Sequence, residues 1–168
     1  ERVPGPGETA SRGRLRVAWV SSEAQGEKVA GWREAYRRAG VPADPGLLLR
    51  MPHHGEWDVQ PGLDLAKDLL DAQLDIDGIL LGSDFAAVGV IKGLLSAGVR
   101  VPDDIAVVGF DNAPVCEASP VRLASIDFPV EEMAGHAVRL MLERTAGPER
   151  EGAVVTLPMR FIRRESSG

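Results

Sequence analysis

The chain has 168 residues, of which 44% are hydrophobic, and this is enough to bury one sizeable core in a single domain. Its formal net charge of −6 argues against a nucleic-acid-binding surface within the chain. A single cysteine, Cys116, excludes an internal disulfide framework and fits a reducing compartment, and no apolar run approaches the roughly 20 residues of a membrane span.

The first part of the chain alternates short apolar runs with segments of helical periodicity. Residues 1–13 are rich in Pro, Gly and polar side chains, which predicts a linker or a disordered tail. The elements predicted next are a strand over 15–20, a helix over 27–39, a strand over 47–51 and a helix over 62–73. Trp19 lies within a strand and Trp32 in a helical stripe, so both are predicted to be core residues.

Residues 77–112 have the pattern of two strands joined by a helix. The apolar runs 79–81 and 105–108 predict buried strands, and residues 85–97 predict the helix between them. Two parallel strands joined in this way form a right-handed crossover unit. The loops that follow the two strands should therefore emerge at the carboxyl edge of the sheet, where open α/β sheets bind ligands.

The remaining elements continue the same alternation. They are a loop or short helix over 113–120, a short strand over 123–126, a helix that begins near Pro129, and a last strand over 153–162. The last helix has an apolar stripe of Met133, Ala137, Leu140 and Met141. The predicted fold is a three-layer α/β/α, Rossmann-like parallel sheet.

Three motifs make the chain resemble one family of proteins. Residues Gly98–Asn112 follow the pattern G-x-x-V-P-x-D-(I/V)-x-V-V-G-(F/Y)-D-(D/N) over its full length. Gly31-Trp32-Arg33-Glu34-Ala35 follows a second pattern, G-(F/W/Y)-x-x-A, and Arg164–Ser166 matches a closing R-x-S. The chain thus resembles the C-terminal part of the effector-binding domain of LacI/GalR-type transcriptional regulators.

This resemblance implies a periplasmic-binding-protein-like type I lobe. Residues 14–123 would form the C-terminal lobe, and residues 124–168 would form a crossover, a helix and a return strand. The helix after Pro129 is then expected to pack on the N-terminal lobe of the complete regulator. Neither that lobe nor the helix-turn-helix of the regulator is expected within this chain.

The resemblance also implies an effector site at the carboxyl edge, with Asp111 as its main candidate. A carboxylate there can accept hydrogen bonds from vicinal hydroxyls, although an aspartate that only forms the turn is the alternative. Trp57 lies in a polar loop where the family carries an aromatic residue that can stack on a sugar, or it can cover the edge of the core.

Three further candidates depart from the family pattern or have an equally good structural role. Asp84 can contact the ligand or cap the helix that follows it. Ser83 stands where the family has Asn, and Lys28 stands where it has Arg, so each would reach or bind an effector less well. Lys28 can equally belong to a solvated helix face.

Other chemistry has little support in the sequence. His53 and His54 are adjacent, but no third ligand has the spacing of a metal site, so neither a metal nor a cofactor is expected. The chain carries no G-x-G-x-x-G turn, phosphate-binding loop or nucleophilic triad, which argues against an enzyme.

The function that follows is sensing of a small-molecule effector, a sugar or related polyol, within a cytoplasmic, DNA-binding LacI-type regulator. A periplasmic sugar-binding protein of an ABC transporter shares this fold and is the alternative. The resemblance also implies a homodimer, with the helix over residues 85–95 and the segment after Asn112 as candidate contacts, and DNA binding only through a domain outside the chain.

Overall fold

The structure is a computed structural model that describes residues 16–21, 26–51, 58–145 and 153–168. Its helices and strands, in chain order, are β1 (Val17–Ser21), α1 (Glu27–Arg38), β2 (Leu48–Arg50), α2 (Gln60–Asp71), β3 (Gly78–Leu81), α3 (Asp84–Ser96), β4 (Ala106–Asp111), α4 (Val115–Ala118), β5 (Ala124–Asp127), α5 (Val130–Thr145) and β6 (Arg160–Ile162). The predicted order of strands and helices is confirmed, and the predicted tail over residues 1–13 lies outside the described residues.

One six-stranded sheet, in the order β2-β1-β3-β4-β5-β6, organises the molecule. The first five strands are parallel, and β6 runs antiparallel to β5 with Asp127 opposite Arg160. The sheet is therefore mixed rather than wholly parallel. The reason is that the chain leaves β5 at its carboxyl end and returns at the same edge, so it can only run back along β5.

The two faces of the sheet are covered to different extents. Ala18, Ile79 and Val107 lie side by side on one face of the sheet and are at most 1% exposed. Their strand neighbours Leu80 and Val108 point to the other face and are only half-buried. On that face α1 packs through Trp32, whose indole nitrogen donates to the Val17 carbonyl oxygen over 2.9 Å. Trp19 and Trp32 are 3% and 6% exposed, as predicted for core residues.

Helices α2 and α3 are in contact backbone to backbone. A Cβ added to Gly89 would lie 2.1 Å from the carbonyl oxygen of Val59 and 2.8 Å from the Cα of Gly62. A Cβ on Gly62 would lie 2.0 Å from the carbonyl oxygen of Ala86. Only glycine allows this approach, and the approach fixes where α3 begins under the carboxyl edge of the sheet.

Gly89→Ala is accordingly expected to lower the free energy of unfolding by about 2 kcal/mol, because overpacking against backbone cannot be relieved by a side-chain rotation. Gly31→Ala is the matched control, since Gly31 is also helical and its added Cβ would have nothing within 4 Å. It should raise stability by up to about 1 kcal/mol, because alanine favours helix more than glycine does. Urea unfolding of both variants measures the difference, and equal effects would contradict the close contact.

The C-terminal part of the chain differs most from the predictions. Of the strand predicted over residues 153–162, only Arg160–Ile162 pairs with the sheet, and residues 153–159 have no regular structure. Helix α5 forms as predicted, and none of its 16 residues is buried against the described part of the chain, so its expected packing on another lobe stays a prediction. Periodicity predicts which side of a helix is apolar, and it carries no information about the partner of that side. No helix in the described ranges is long and apolar enough to cross a membrane.

Candidate functional site

A polar hollow lies where β4 and β5 end side by side. The two strands pair in register, with Asp111 opposite Asp127, because both emerge at the carboxyl edge of the sheet. The hollow has a volume of about 540 Å³. Its lining residues are Asp111, Asn112, Asp127, Phe128, Pro129, Val130, Glu131, Glu132, Pro158 and Arg160.

The chemistry of this lining is that of a hydrogen-bonding site. Carboxylates come from β4, β5 and the first turn of α5, and Arg160 supplies a guanidinium. Carboxylate oxygens accept hydrogen bonds and a guanidinium donates them, so the pair suits ligands that carry hydroxyl groups. Phe128 adds an aromatic ring to the same wall. Such a mixture of polar groups with one aromatic face can hold a small polyhydroxylated molecule.

The structure places Asp111 in the hollow, as the sequence predicts. Asp111 is half-buried at the end of β4, and its φ of 102° lies in the left-handed region that non-glycine residues seldom adopt. The loop geometry thus costs free energy and aims the end of β4 into the hollow. A ligand role for Asp111 stays a prediction.

Asp84 is beneath the hollow rather than in it. Its side chain is 1% exposed; one carboxylate oxygen accepts from the Ser125 hydroxyl over 2.6 Å, and the other accepts from the Ala113 backbone N–H over 2.7 Å. The carboxylate therefore joins the start of α3 to β5 and to the loop after β4. Asp84 is the first residue of α3 rather than its N-cap; Ser83 occupies the N-cap position, is 4% exposed and makes no side-chain capping hydrogen bond.

Of the other two candidates, the structure describes only Lys28, which does not line the polar hollow. The Lys28 ammonium lies 4.1 Å from the centre of the Phe110 ring, a cation–π contact, on the face of the sheet that carries α1. Trp57 lies outside the described residues, as do His53 and His54. Their predicted roles stay predictions.

A second hollow lies beside α1, next to Lys28. Its volume is about 330 Å³, and it is almost wholly apolar, with Trp19, Trp32, Tyr36 and Phe110 among its lining residues. The indole N–H of Trp19 is buried there without an acceptor among the described residues. This hollow shares no lining residue with the polar one.

Several residues of the polar hollow were not among the candidates predicted from the sequence. Asp127 is the last residue of β5 and Phe128 follows it, so both lie at the same carboxyl edge as Asp111 and the rule that selected Asp111 applies to them as well. Arg160 could not be found in this way, because its place depends on the antiparallel return of β6.

Cys116 shows no sign of reactivity. Its side chain is fully buried, and burial, followed by the neighbouring Asp84 carboxylate, raises the pKa of the thiol to about 12. Hardly any thiolate exists at neutral pH, which argues against a nucleophilic role. The described residues also contain no cluster of three His, Cys, Asp or Glu side chains that could hold a metal ion.

Comparison with known proteins assigns the fold to a family. A sequence model of the periplasmic binding protein-like domain matches residues 8–167. The chain belongs to this family. The resemblance to LacI-type regulators, predicted from the motifs, is confirmed by its relatives, which are regulators and not enzymes. These comparisons do not favour the transporter alternative.

Among the relatives of this periplasmic binding protein-like chain is the HTH-type transcriptional regulator CelR of Thermobifida fusca, 31% identical over 92% of this chain and 45% of the regulator. A solved CelR–cellobiose complex superposes with a TM-score of 0.80 at 29% identity, over 92% of this chain and 47% of that one. A LacI family regulator from Enterococcus faecium with bound ribose gives a TM-score of 0.78 at 29% identity, over 92% and 57%. The chain spans about half the length of the curated relatives it matches.

Proposed function

We propose that this chain is one lobe of the sugar-sensing domain of a LacI-type transcriptional regulator, and that the sugar binds in the hollow at Asp111. The observation that carries the proposal is the register of β4 and β5, which sets Asp111 opposite Asp127 at the ligand-binding edge of the sheet. Solved relatives that hold cellobiose or ribose support a carbohydrate as the ligand class.

The side chains around the hollow suggest how a sugar would be held. The Asp111 carboxylate would accept hydrogen bonds from neighbouring hydroxyls, Arg160 would donate to a ring or hydroxyl oxygen, and Phe128 would face the apolar side of the ring. Trp57, Lys28 and Ser83 remain proposed contributors. Asp84, at 1% exposure, is proposed to support the site from below rather than touch the sugar.

A second lobe is proposed to close over the hollow. Met141, Leu142 and Val154 are 69%, 65% and 93% exposed, an unusual amount of apolar surface for α5 and the segment that follows it. We infer that this surface packs on the first lobe of the complete domain. Residues 127–129 lead from the sheet towards α5 and residues 158–160 lead back, so a ligand in the hollow would touch both crossings.

This arrangement suggests how binding would be transmitted. A sugar can shift the two lobes only if it contacts their alternative arrangements unequally, and a ligand that touches both crossings meets that condition. DNA would be bound by a domain outside this chain, in a cytoplasmic homodimer. Proposed dimer contacts are α3, whose Leu95 is 36% exposed, and the segment after Asn112.

The test is calorimetric titration of the purified intact regulator with cellobiose, with ribose and, as a non-sugar control, with glycerol. Saturable binding of one sugar is expected, together with a gain of about 2.7 kcal/mol in stability when that sugar is present at about 100 times its Kd. Binding of neither sugar, or equal binding of glycerol, would contradict the proposal as stated.

A further inference from the structure

Two consecutive residues at the end of β4 have backbone conformations that cost free energy. The φ angles of Asp111 and Asn112 are 102° and 54°, both in the left-handed region, and neither residue is glycine. Such conformations persist only where the surrounding structure over-determines them. The interactions that hold this turn therefore also determine the backbone position from which the Asp111 side chain extends.

Asn112 is held from three directions. Its backbone N–H donates to the Ser125 hydroxyl over 3.0 Å, and its side-chain amide donates to the Asp127 carboxylate over 3.0 Å. Its side-chain oxygen accepts from the Arg164 guanidinium over 2.8 Å. Two of these partners belong to the neighbouring strand β5, whereas Arg164 lies 52 residues further along the chain.

Arg164 donates hydrogen bonds to three separate parts of the chain. Besides Asn112, its guanidinium donates to the Leu123 carbonyl oxygen over 2.9 Å and to the Glu117 carboxylate over 2.6 Å. Its side chain is 14% exposed, although the Glu117 partner is 58% exposed. A planar fork with fixed N–H directions can serve these acceptors together, and a lysine ammonium on a flexible stem cannot.

We propose that Arg164 is a positioning residue for sugar binding: through Asn112 it holds the β4 turn in the conformation that presents Asp111 to the polar hollow. The inference rests on the proposed function, because it takes the sugar site to be at Asp111. It assigns a role to the segment after β6, which contains Arg164. This segment follows the second crossing, so Arg164 connects the returning chain to the turn that carries Asp111.

The experiment compares Arg164→Ala with Arg122→Ala in the intact protein. Arg122 is the matched control, since it also pairs with an acidic residue near the C-terminal end, Glu165, but makes none of the described contacts with Asn112. Arg164→Ala should weaken binding of cellobiose or ribose, whichever the wild type binds, by about ten-fold, the usual worth of a hydrogen bond to a charged group. Arg122→Ala should leave it unchanged, and Arg164→Lys should recover little.

A second arm separates positioning from a general loss of stability. In an Asp111→Ala background, Arg164→Ala should weaken binding no further, because the residue through which it acts is gone. Exchange of the Asn112 and Ala113 amide protons, measured without any sugar, should accelerate about ten-fold in Arg164→Ala and not in Arg122→Ala.

The outcomes distinguish this inference from the function on which it rests. A wild type that binds no sugar defeats the proposed function, and the assignment of Arg164 to sugar binding falls with it. A wild type that binds sugar while Arg164→Ala binds equally well, or keeps its amide protection, overturns the positioning role alone. A further ten-fold loss in the Asp111→Ala background also overturns it.

Discussion

Asp84→Ala is expected to lower the free energy of unfolding by about 3–6 kcal/mol, since two hydrogen bonds to a buried carboxylate are lost at roughly 1.5–3 kcal/mol each. The variant leaves the hydroxyl of Ser125, itself fully buried, and the Ala113 N–H without the acceptor they use at 2.6 and 2.7 Å. It also removes the carboxylate that joins the start of α3 to both β5 and the β4 turn.

Urea unfolding measures this effect, with Asp64→Ala as the control. Asp64 is an exposed acid on α2 that accepts one hydrogen bond, from Gln60, so its removal should leave the unfolding midpoint almost unchanged. Asp84→Asn should fall between the two, because its amide keeps one acceptor oxygen and turns an N–H₂ towards the other donor. If Asp84→Ala loses less than about 1 kcal/mol, the supporting role is wrong.

Asp111→Ala is expected to weaken sugar binding by about 100-fold, or roughly 2.7 kcal/mol, because a carboxylate that accepts from two hydroxyls would be removed. The stability effect should be small, since Asp111 is only half-buried. Titration calorimetry with cellobiose and with ribose gives the affinity, and urea unfolding of the same variants gives the stability.

Asp111→Gly sharpens this test. Glycine accepts a φ of 102° without strain, so this variant should be at least as stable as Asp111→Ala and yet bind sugar just as poorly. Asp103→Ala is the control for loss of an exposed acid, and it should bind as the wild type does. Normal affinity in both Asp111 variants would remove this residue from the site.

Local sequence patterns were sufficient to predict the helices and strands, but not the contacts between them. The apolar runs of β3 and β4 are short and uninterrupted, so both strands and the crossover helix α3 could be predicted within one residue, except that β4 extends three residues beyond its predicted end. The role of Asp84 could not, because the hydroxyl that satisfies it belongs to Ser125, 41 residues away, and arrives only through the register of β4 and β5.

The same limit explains the errors in the last third of the chain. Helix α5 is not one of these errors: its stripe is visible in the sequence, and its expected packing on a lobe outside the chain stays a prediction. The run over residues 153–162 looks like one long strand, but only its last three residues reach an edge of the sheet that can pair. Arg164 was recognised as part of a closing motif, and its contact with Asn112 could be seen only once the chain had returned beside β5.

The most direct test of the central claim is a map of backbone amide chemical shifts during titration of the intact protein with cellobiose or, if that does not bind, ribose. A sugar in the polar hollow predicts saturable shifts that cluster at residues 111–113, 127–132 and 158–160, with the contact between α2 and α3 unaffected. Saturable binding that leaves those amides unchanged, and instead moves residues around the apolar hollow at Trp32 and Tyr36, would contradict the claim.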